Sequence, residues 1–354
     1  MPPRRKRRID PSLFELPVER IRAGEFSDVY FNRARAALRA EGRSAHVTWQ
    51  VSVKKGGWLG GIDEAVALFK LCADDFSALE VQALYEGDRV EAWDTVMLVE
   101  GDYASFAHLE TLVLGTLGRR TRICSNVRTL VDAARPKPIY FFGARSDHAT
   151  LQSGDGFSAI VGGATSVSTD AQGRFLGRPG VGTIPHALIA AHGGDTVAAA
   201  LSVAAVIPAD VPLIALVDYE NDSVKTALAV ARALEGRLWG VRLDTAEYIV
   251  DRSVLPLMGA FRPTGVNAPL VWAVRNALDA EGFGDVKIVV SGGFDLPRIR
   301  AFEEDGVPVD AYGVGASIME GRWDFTADVV RLDGEPQAKA GREYRPNPRL
   351  ERVK

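Results

Sequence analysis

At 354 residues the chain has room for two domains, or for one barrel with an appendage. Its 47% hydrophobic and 25% charged content is that of a folded globular protein, and the net charge of −4 hides a more acidic body behind the cationic start Arg4-Arg5-Lys6-Arg7-Arg8, which argues against nucleic acid as a main partner. The two cysteines, Cys72 and Cys124, make neither a disulfide framework nor a zinc site, and no apolar stretch approaches the roughly 18 residues of a membrane helix, so the expected setting is cytoplasmic with no membrane contact.

Residues 1–9 read as a basic, disordered tail, and residues 10–135 as an N-terminal α/β domain. Within it, Ser27-Asp28 starts a helix through Val29 and Arg33. The alternation of His46–Val53 predicts a strand, and Ile62–Phe69 an amphipathic helix. Two short strand patterns, Leu79–Tyr85 and Ala92–Val99, precede a long helical stretch from Phe106 to about Ala134. Arg119, Arg120 and Arg122 lie on that stretch, as a solvated face or as a group able to reach an anion.

From Pro136 the pattern changes. Short apolar runs end in Gly or polar clusters, and helical runs follow: Ile139–Phe142, Ala164–Ser168, Val181, Leu213–Val217, Leu238–Val241, Ile288–Val290 and Ala311–Tyr312. The helices Ser223–Leu234, Ala268–Ala280 and Pro297–Glu304 stop before Gly236, Gly282 and Gly306, the last capped by Asp295. Strand alternating with helix implies parallel strands, and polar turns after all seven runs favour an irregular α/β barrel over a doubly wound sheet with one crevice. The barrel is placed at 136–320. Residues 321–354 are expected to return to the N-terminal domain.

Chemistry in such a barrel belongs on the turns that follow the strands. Gly182-Thr183-Ile184-Pro185-His186 is a Gly-rich turn with Pro before a helical run; it puts His186 at a helix start, where anions are attracted. Ser291-Gly292-Gly293 and Gly313-Val314-Gly315 have the form of phosphate cradles, because glycine lets backbone N–H groups approach a phosphate. Asp218, Asp222 and Asp244 are placed for ribose hydroxyls or water-bound Mg²⁺, with helix capping as the other use of Asp222. Arg145 and Arg242 suit a carboxylate or phosphate, and Phe142 a flat ring. Together these groups suit an anionic, phosphorylated, ribose-bearing small molecule.

Phe142-Gly143-Ala144-Arg145, Gly163-Ala164-Thr165-Ser166, Gly182–His186, Val217-Asp218-Tyr219, Val241–Asp244 and Ser291-Gly292-Gly293 occur in that order. This ordered set, with Ser27-Asp28-Val29-Tyr30 before it, resembles the nicotinate phosphoribosyltransferases, which have the type II phosphoribosyltransferase fold. The resemblance implies an irregular α/β barrel beside an N-terminal α/β domain, and a homodimer or higher homo-oligomer with shared sites. It implies joining of nicotinate to phosphoribosyl pyrophosphate, with Mg²⁺ held through substrate and water rather than by direct protein ligands. ATP hydrolysis through a phosphohistidine accompanies this in many members.

By that resemblance His186 matches the phosphorylated histidine, and Arg242, Asp244 and Asp218 lie near nucleotide, ribose or metal. Phe142 stacks on the pyridine ring, Tyr30 covers its other face from the partner subunit, and Arg145 meets the nicotinate carboxylate or lies beside it. Thr183, Ser291, Gly292, Gly293, Gly313 and Gly315 surround phosphate. Where the family commonly has Asp before Phe-Gly, this chain has Phe141. Quinolinate or nicotinamide as substrate, and a non-catalytic phosphosugar- or nucleotide-binding role, stand as alternatives. Quinolinate calls for more cations around the ring than Arg145 and Arg242, with Lys54, Lys55 and Arg119 as further contributors.

Overall fold

A computed structural model describes residues 7–353, which divide into two compact units. The first takes the chain up to Asn126, then Ser153–Gly162, then everything from Glu320 on; the second takes Val127–Gln152 and Gly163–Met319.

The first unit is built on β1 (His46–Val53). Its odd positions Val47, Trp49, Val51 and Val53 are apolar and all sit in the core. Its even positions Thr48, Gln50 and Ser52 are polar yet also buried, with the C-terminal segment on that face: the Gln50 amide donates to the Glu343 carbonyl at 3.2 Å and accepts from the Arg345 N–H at 2.8 Å. Period-2 alternation therefore marks two buried faces here, one dry and one hydrogen-bonded. Around β1 run β3 (Glu80–Ala83), β5 (Thr95–Asp102), β12 (Phe325–Leu332), β13 (Glu335–Pro336) and β14 (Glu351–Arg352). They form an antiparallel sheet in the order β13-β12-β1-β5-β3-β14. A separate two-stranded pair joins β2 (Gly57–Trp58) to β4 (Arg89–Val90).

The helices of this unit are α1 (Val18–Arg22), α2 (Val29–Ala40), α3 (Ile62–Cys72), the first part of α4 (Glu110–Ala134) and most of α5 (Gln152–Gly162). Trp49, Phe69 and Phe106 meet in the core with ring centroids 5.8–6.0 Å apart. Edge contacts of this kind add to the area that the rings bury.

The basic tail falls mostly outside the described residues, which exclude 1–6. At its described end Arg7 is exposed, while Arg8 is seated on the protein. Arg8 Nη1 donates to Asp63 at 2.7 Å, Nη2 to the carbonyls of Ala83 and Leu84, and the guanidinium lies 4.3 Å from the Tyr85 ring centre. Charge density alone predicts hydration; a buried acceptor set on α3 and β3 overrides it.

Glu86 satisfies the N-terminus of α3 by accepting from the N–H groups of Gly61 (3.1 Å) and Asp63 (3.0 Å). Burial, and then the Asp63 charge, push its carboxyl up to about 8. A folded-state value above the ordinary carboxylate range means stability present at low pH and lost as pH rises through about 8. Glu86→Gln is therefore expected to flatten the fall in urea midpoint between pH 5 and 8.5 relative to the parent protein. Parallel pH slopes for the two proteins would disprove it.

The second unit holds β6 (Ile139–Phe141), β7 (Ser166–Val167), β8 (Leu213–Leu216), β9 (Leu238–Leu243), β10 (Lys287–Val290) and β11 (Ala311–Val314). All pairs are parallel, in the order β7-β6-β11-β10-β9-β8. The run at Val181 is not a strand. Its segment instead donates from Val181 N to Val167 O (2.7 Å) and from Ile184 N to Ile214 O (3.2 Å), reaching both outer strands of the sheet with irregular chain. Pro185 and Gly182 deny that segment a regular ladder. The fold is thus the expected irregular α/β barrel, its sheet curled and open.

Helices α6 (Asp170–Gly173), α7 (His186–Ala191), α8 (Thr196–Ala204), α9 (Ser223–Leu234), α10 (Ala268–Ala280) and α11 (Leu296–Glu304) follow the strands. Asp195, Asp222, Asn267 and Asp295 each accept an N–H two or three residues into the helix they cap. The side chain of Asp222 is therefore used as a cap. Among the described residues no helix is long and apolar enough to cross a membrane.

Candidate functional site

The parallel strands of the second unit deliver their C-terminal turns to one end of the sheet, and Arg242 stands among them. It is the fifth residue of β9, half-buried, and its neighbours Val241 and Leu243 fill the core. Its Nε donates to Ser291 Oγ at 2.7 Å, Nη1 to Thr183 Oγ1 at 3.1 Å, and Nη2 pairs with Asp244 Oδ2 at 3.0 Å. The guanidinium carbon lies 5.1 Å from the centre of the Phe142 ring. One planar fork thus gathers four of the residues singled out in the sequence, from four different turns. Ser291 Oγ also donates to Asp244 Oδ1 at 2.6 Å, closing the network.

Phe142 owes its place to two glycines. A Cβ on Gly313 would lie 2.3 Å from the Phe142 ring, and one on Gly315 would lie 2.8 Å from the Phe142 carbonyl oxygen. Gly313 and Gly315 are therefore needed for close approach, not for backbone shape. Gly292 and Gly293 differ: both have φ near +80°, which L side chains rarely adopt. Phe141, in the position where Asp was anticipated, is fully buried in the core.

His186 opens α7 and keeps about half its side chain exposed, with Nε2 3.1 Å from Asp218 Oδ1. Asp218 itself is buried. Burial raises its carboxyl above the ordinary range, the His186 charge opposes the rise, and the Asp244 charge adds to it. The two carboxylates therefore feel each other across the strand ends. Tyr219 lies beside the histidine, with ring centroids 6.3 Å apart.

Two predicted residues stand outside this cluster. Arg145 is exposed and makes no ion pair among the described residues. Tyr30 is exposed on α2 in the first unit. The arginines of α4 are committed elsewhere: Arg119 is bidentate to Asp155, at 2.9 and 2.7 Å, and Arg120 bridges Asp155 and Glu64. Lys55 lies over Trp323, 3.8 Å from its ring centre. Sequence reasoning missed Arg298 and Ser317. Arg298 donates to the carbonyls of Gly292 and Gly293, and Ser317 to that of Phe294. The available signal for Arg298 was its place three residues after the Asp295 cap, within reach of the loop before it.

Among the described residues no group of three or more His, Cys, Asp or Glu could hold a metal ion. Each site carboxylate already has partners: Asp244 uses one oxygen on Ser291 and the other on Arg242, and Asp218 uses one on His186.

The family of the quinolinate phosphoribosyl transferase N-terminal domain matches residues 28–121. The nicotinate phosphoribosyltransferase pncB1 of Mycobacterium tuberculosis is 31% identical over 281 residues, covering 76% of this chain and 57% of its own. The nicotinate phosphoribosyltransferase of Bacillus subtilis is 25% identical over 240 residues, covering 67% of this chain and 45% of its own. The chain thus spans about half the length of these curated relatives.

The crystal structure of nicotinate-nucleotide pyrophosphorylase from Pyrococcus furiosus is similar with a TM-score of 0.79 and 32% identity, over 96% of this chain and 85% of that one. Human nicotinic acid phosphoribosyltransferase shares the fold, with a TM-score of 0.67 at 17% identity over 88% of this chain and 76% of that one. The curled parallel sheet, the ordered strand-end turns and these similarities lead to one statement: the chain belongs to the nicotinate phosphoribosyltransferase family, of the type II phosphoribosyltransferase fold.

Proposed function

We propose that this protein is a nicotinate phosphoribosyltransferase of NAD salvage, joining nicotinate to phosphoribosyl pyrophosphate to give nicotinate mononucleotide and pyrophosphate. The observation that carries it is the Arg242 fork, which gathers an aromatic face, a hydroxyl pair and a carboxylate around one guanidinium, with a left-handed Gly-Gly turn following Ser291. In this assignment Phe142 stacks on the pyridine ring and Arg145 takes its carboxylate. A second copy of the chain supplies Tyr30 to the open face. Thr183, Ser291 and the glycines 292, 293, 313 and 315 surround phosphate groups, and Asp218 and Asp244 face the ribose.

The reaction breaks the bond from ribose C1 to the pyrophosphate oxygen and forms one from C1 to the pyridine nitrogen, whose lone pair it uses. Pyrophosphate leaves with the electron pair. The protein's work is then to align ring and sugar and to stabilise charge, positive at the ribose and negative on the leaving group. Arg242 does the second, and the Asp218–Asp244 pair the first. Asp218 and Asp244 fit a Mg²⁺ held mainly by substrate and water, because their mutual charge is unfavourable and most of their oxygens are already in use. When bound, the ion would neutralise pyrophosphate charge.

A phosphohistidine at His186 is part of the proposal. With Asp218 accepting the Nε2 proton, the lone pair resides on Nδ1, which would take the terminal phosphoryl group of ATP and release ADP. With Arg145 as the one cation assigned to the ring, a single ring carboxylate is favoured over the two of quinolinate.

The test is product formation from phosphoribosyl pyrophosphate and Mg²⁺ with nicotinate, nicotinamide or quinolinate, each with and without ATP. Mononucleotide from nicotinate is expected, with an ATP stimulation that His186→Ala abolishes. Turnover of quinolinate with CO₂ release would move the assignment to the sister activity. No product from any of the three would leave a nucleotide-binding protein.

A further inference from the structure

The Gly292-Gly293 turn is held from behind. Arg298 Nη1 donates to the carbonyls of both glycines, at 2.8 Å each, and Nη2 donates to the Val266 carbonyl at 2.8 Å. Its own backbone N–H is fixed on the Asp295 cap at 3.0 Å, and its guanidinium lies 4.2 Å from the centre of the buried Phe294 ring. Ser317, from the turn after β11, donates to the next carbonyl, that of Phe294, at 2.9 Å. Three successive carbonyls are thus pinned, two of them by one side chain.

A trans peptide points its N–H opposite to its C=O. Carbonyls 292 and 293 turned toward Arg298 therefore send the N–H groups of Gly293 and Phe294 the other way, side by side. Among the described residues no hydrogen bond takes either of them. Successive N–H groups converging from a left-handed turn make a concavity for an anion. Two left-handed residues in a row are costly to hold in one geometry even for glycine, whose conformational entropy is the largest of any residue. A rigid cation hydrogen-bonded to both carbonyls removes that freedom.

We propose that Arg298 is a positioning residue, which shapes the Gly292–Phe294 backbone into a phosphate-receiving nest without itself touching the phosphate. This rests on the phosphoribosyl reading of the site. The experiment is calorimetric titration of the full chain with nicotinate mononucleotide and with the matching nucleoside, which lacks the 5′-phosphate. Arg298→Met is expected to weaken mononucleotide binding by about 10- to 100-fold, the scale of hydrogen bonds from a charged donor, and to leave nucleoside binding unchanged. Arg298→Lys, able to reach one carbonyl but not to fork, is expected to fall between. Ser317→Ala, a milder change, should move mononucleotide binding in the same direction by less, and it serves if the Met variant does not fold.

Equal losses for both ligands, or no loss for the mononucleotide, would overturn the proposal. If the unaltered protein bound both ligands equally, the phosphate assignment itself would fall, and Arg298 with it.

Discussion

Arg242→Met is expected to lower kcat/KM for phosphoribosyl transfer by about 10²–10³-fold, the cost of one preorganised charge donor, with a further loss from misplaced neighbours. Met keeps the aliphatic stem and loses the fork. Ser291 and Thr183 then lose their common donor, and Asp244 keeps only its Ser291 bond. Arg242→Lys should restore little, because one ammonium cannot reproduce the three directions of the guanidinium. Steady-state kinetics beside a thermal melt separate the chemistry from the fold. A variant that keeps its rate within tenfold would remove Arg242 from the proposed machinery.

The second large effect is one of stability. Arg120→Met should destabilise the first unit by ~3–5 kcal/mol, the usual cost of stripping one partner from a buried ion network. Arg120 is 7% exposed, with Nε 2.8 Å from Glu64 on α3 and Nη1 2.6 Å from Asp155 on α5. It therefore ties α3, α4 and α5 together. A Cβ on Gly154 would lie 1.9 Å from its Nη2, so the helix has glycine where the guanidinium passes. Adding Glu64→Gln to Arg120→Met should recover part of the loss, since Asp155 keeps its bidentate Arg119 and no buried carboxylate is then left unpaired. Urea unfolding measures both. A change below about 1 kcal/mol in the single variant would mean that water reaches the network.

The same network shows where sequence reasoning stopped. Arg119, Arg120 and Arg122 read equally as a solvated face or as an anion site, because nothing local reveals that Asp155 and Glu64 arrive from other segments. Gly154 carries the reason for its identity only through Arg120, 34 positions earlier in the chain. Arg8 is the opposite case: a charge run suggests hydration, and the acceptors that seat it belong to α3 and β3.

Local chemistry was enough for the rest of the scaffold. Alternation over His46–Val53, acidic or amide caps before α9 to α11, and Gly beyond their ends are short-range signals, and the elements follow them. Strand-end turns in fixed order were enough for the family, because a parallel sheet sends all its C-terminal turns to one end whatever the details. What tertiary structure alone decided is which turn residues meet. Arg242, Thr183, Ser291, Asp244 and Phe142 lie up to 149 positions apart in sequence, and only strand order and register bring them within reach of one guanidinium. The same holds for the gap between β7 and β8. An apolar run at Val181 looks like a strand on its own, and becomes irregular because Gly182 and Pro185 break its ladder and its Val181 and Ile184 N–H groups go to two separate outer strands.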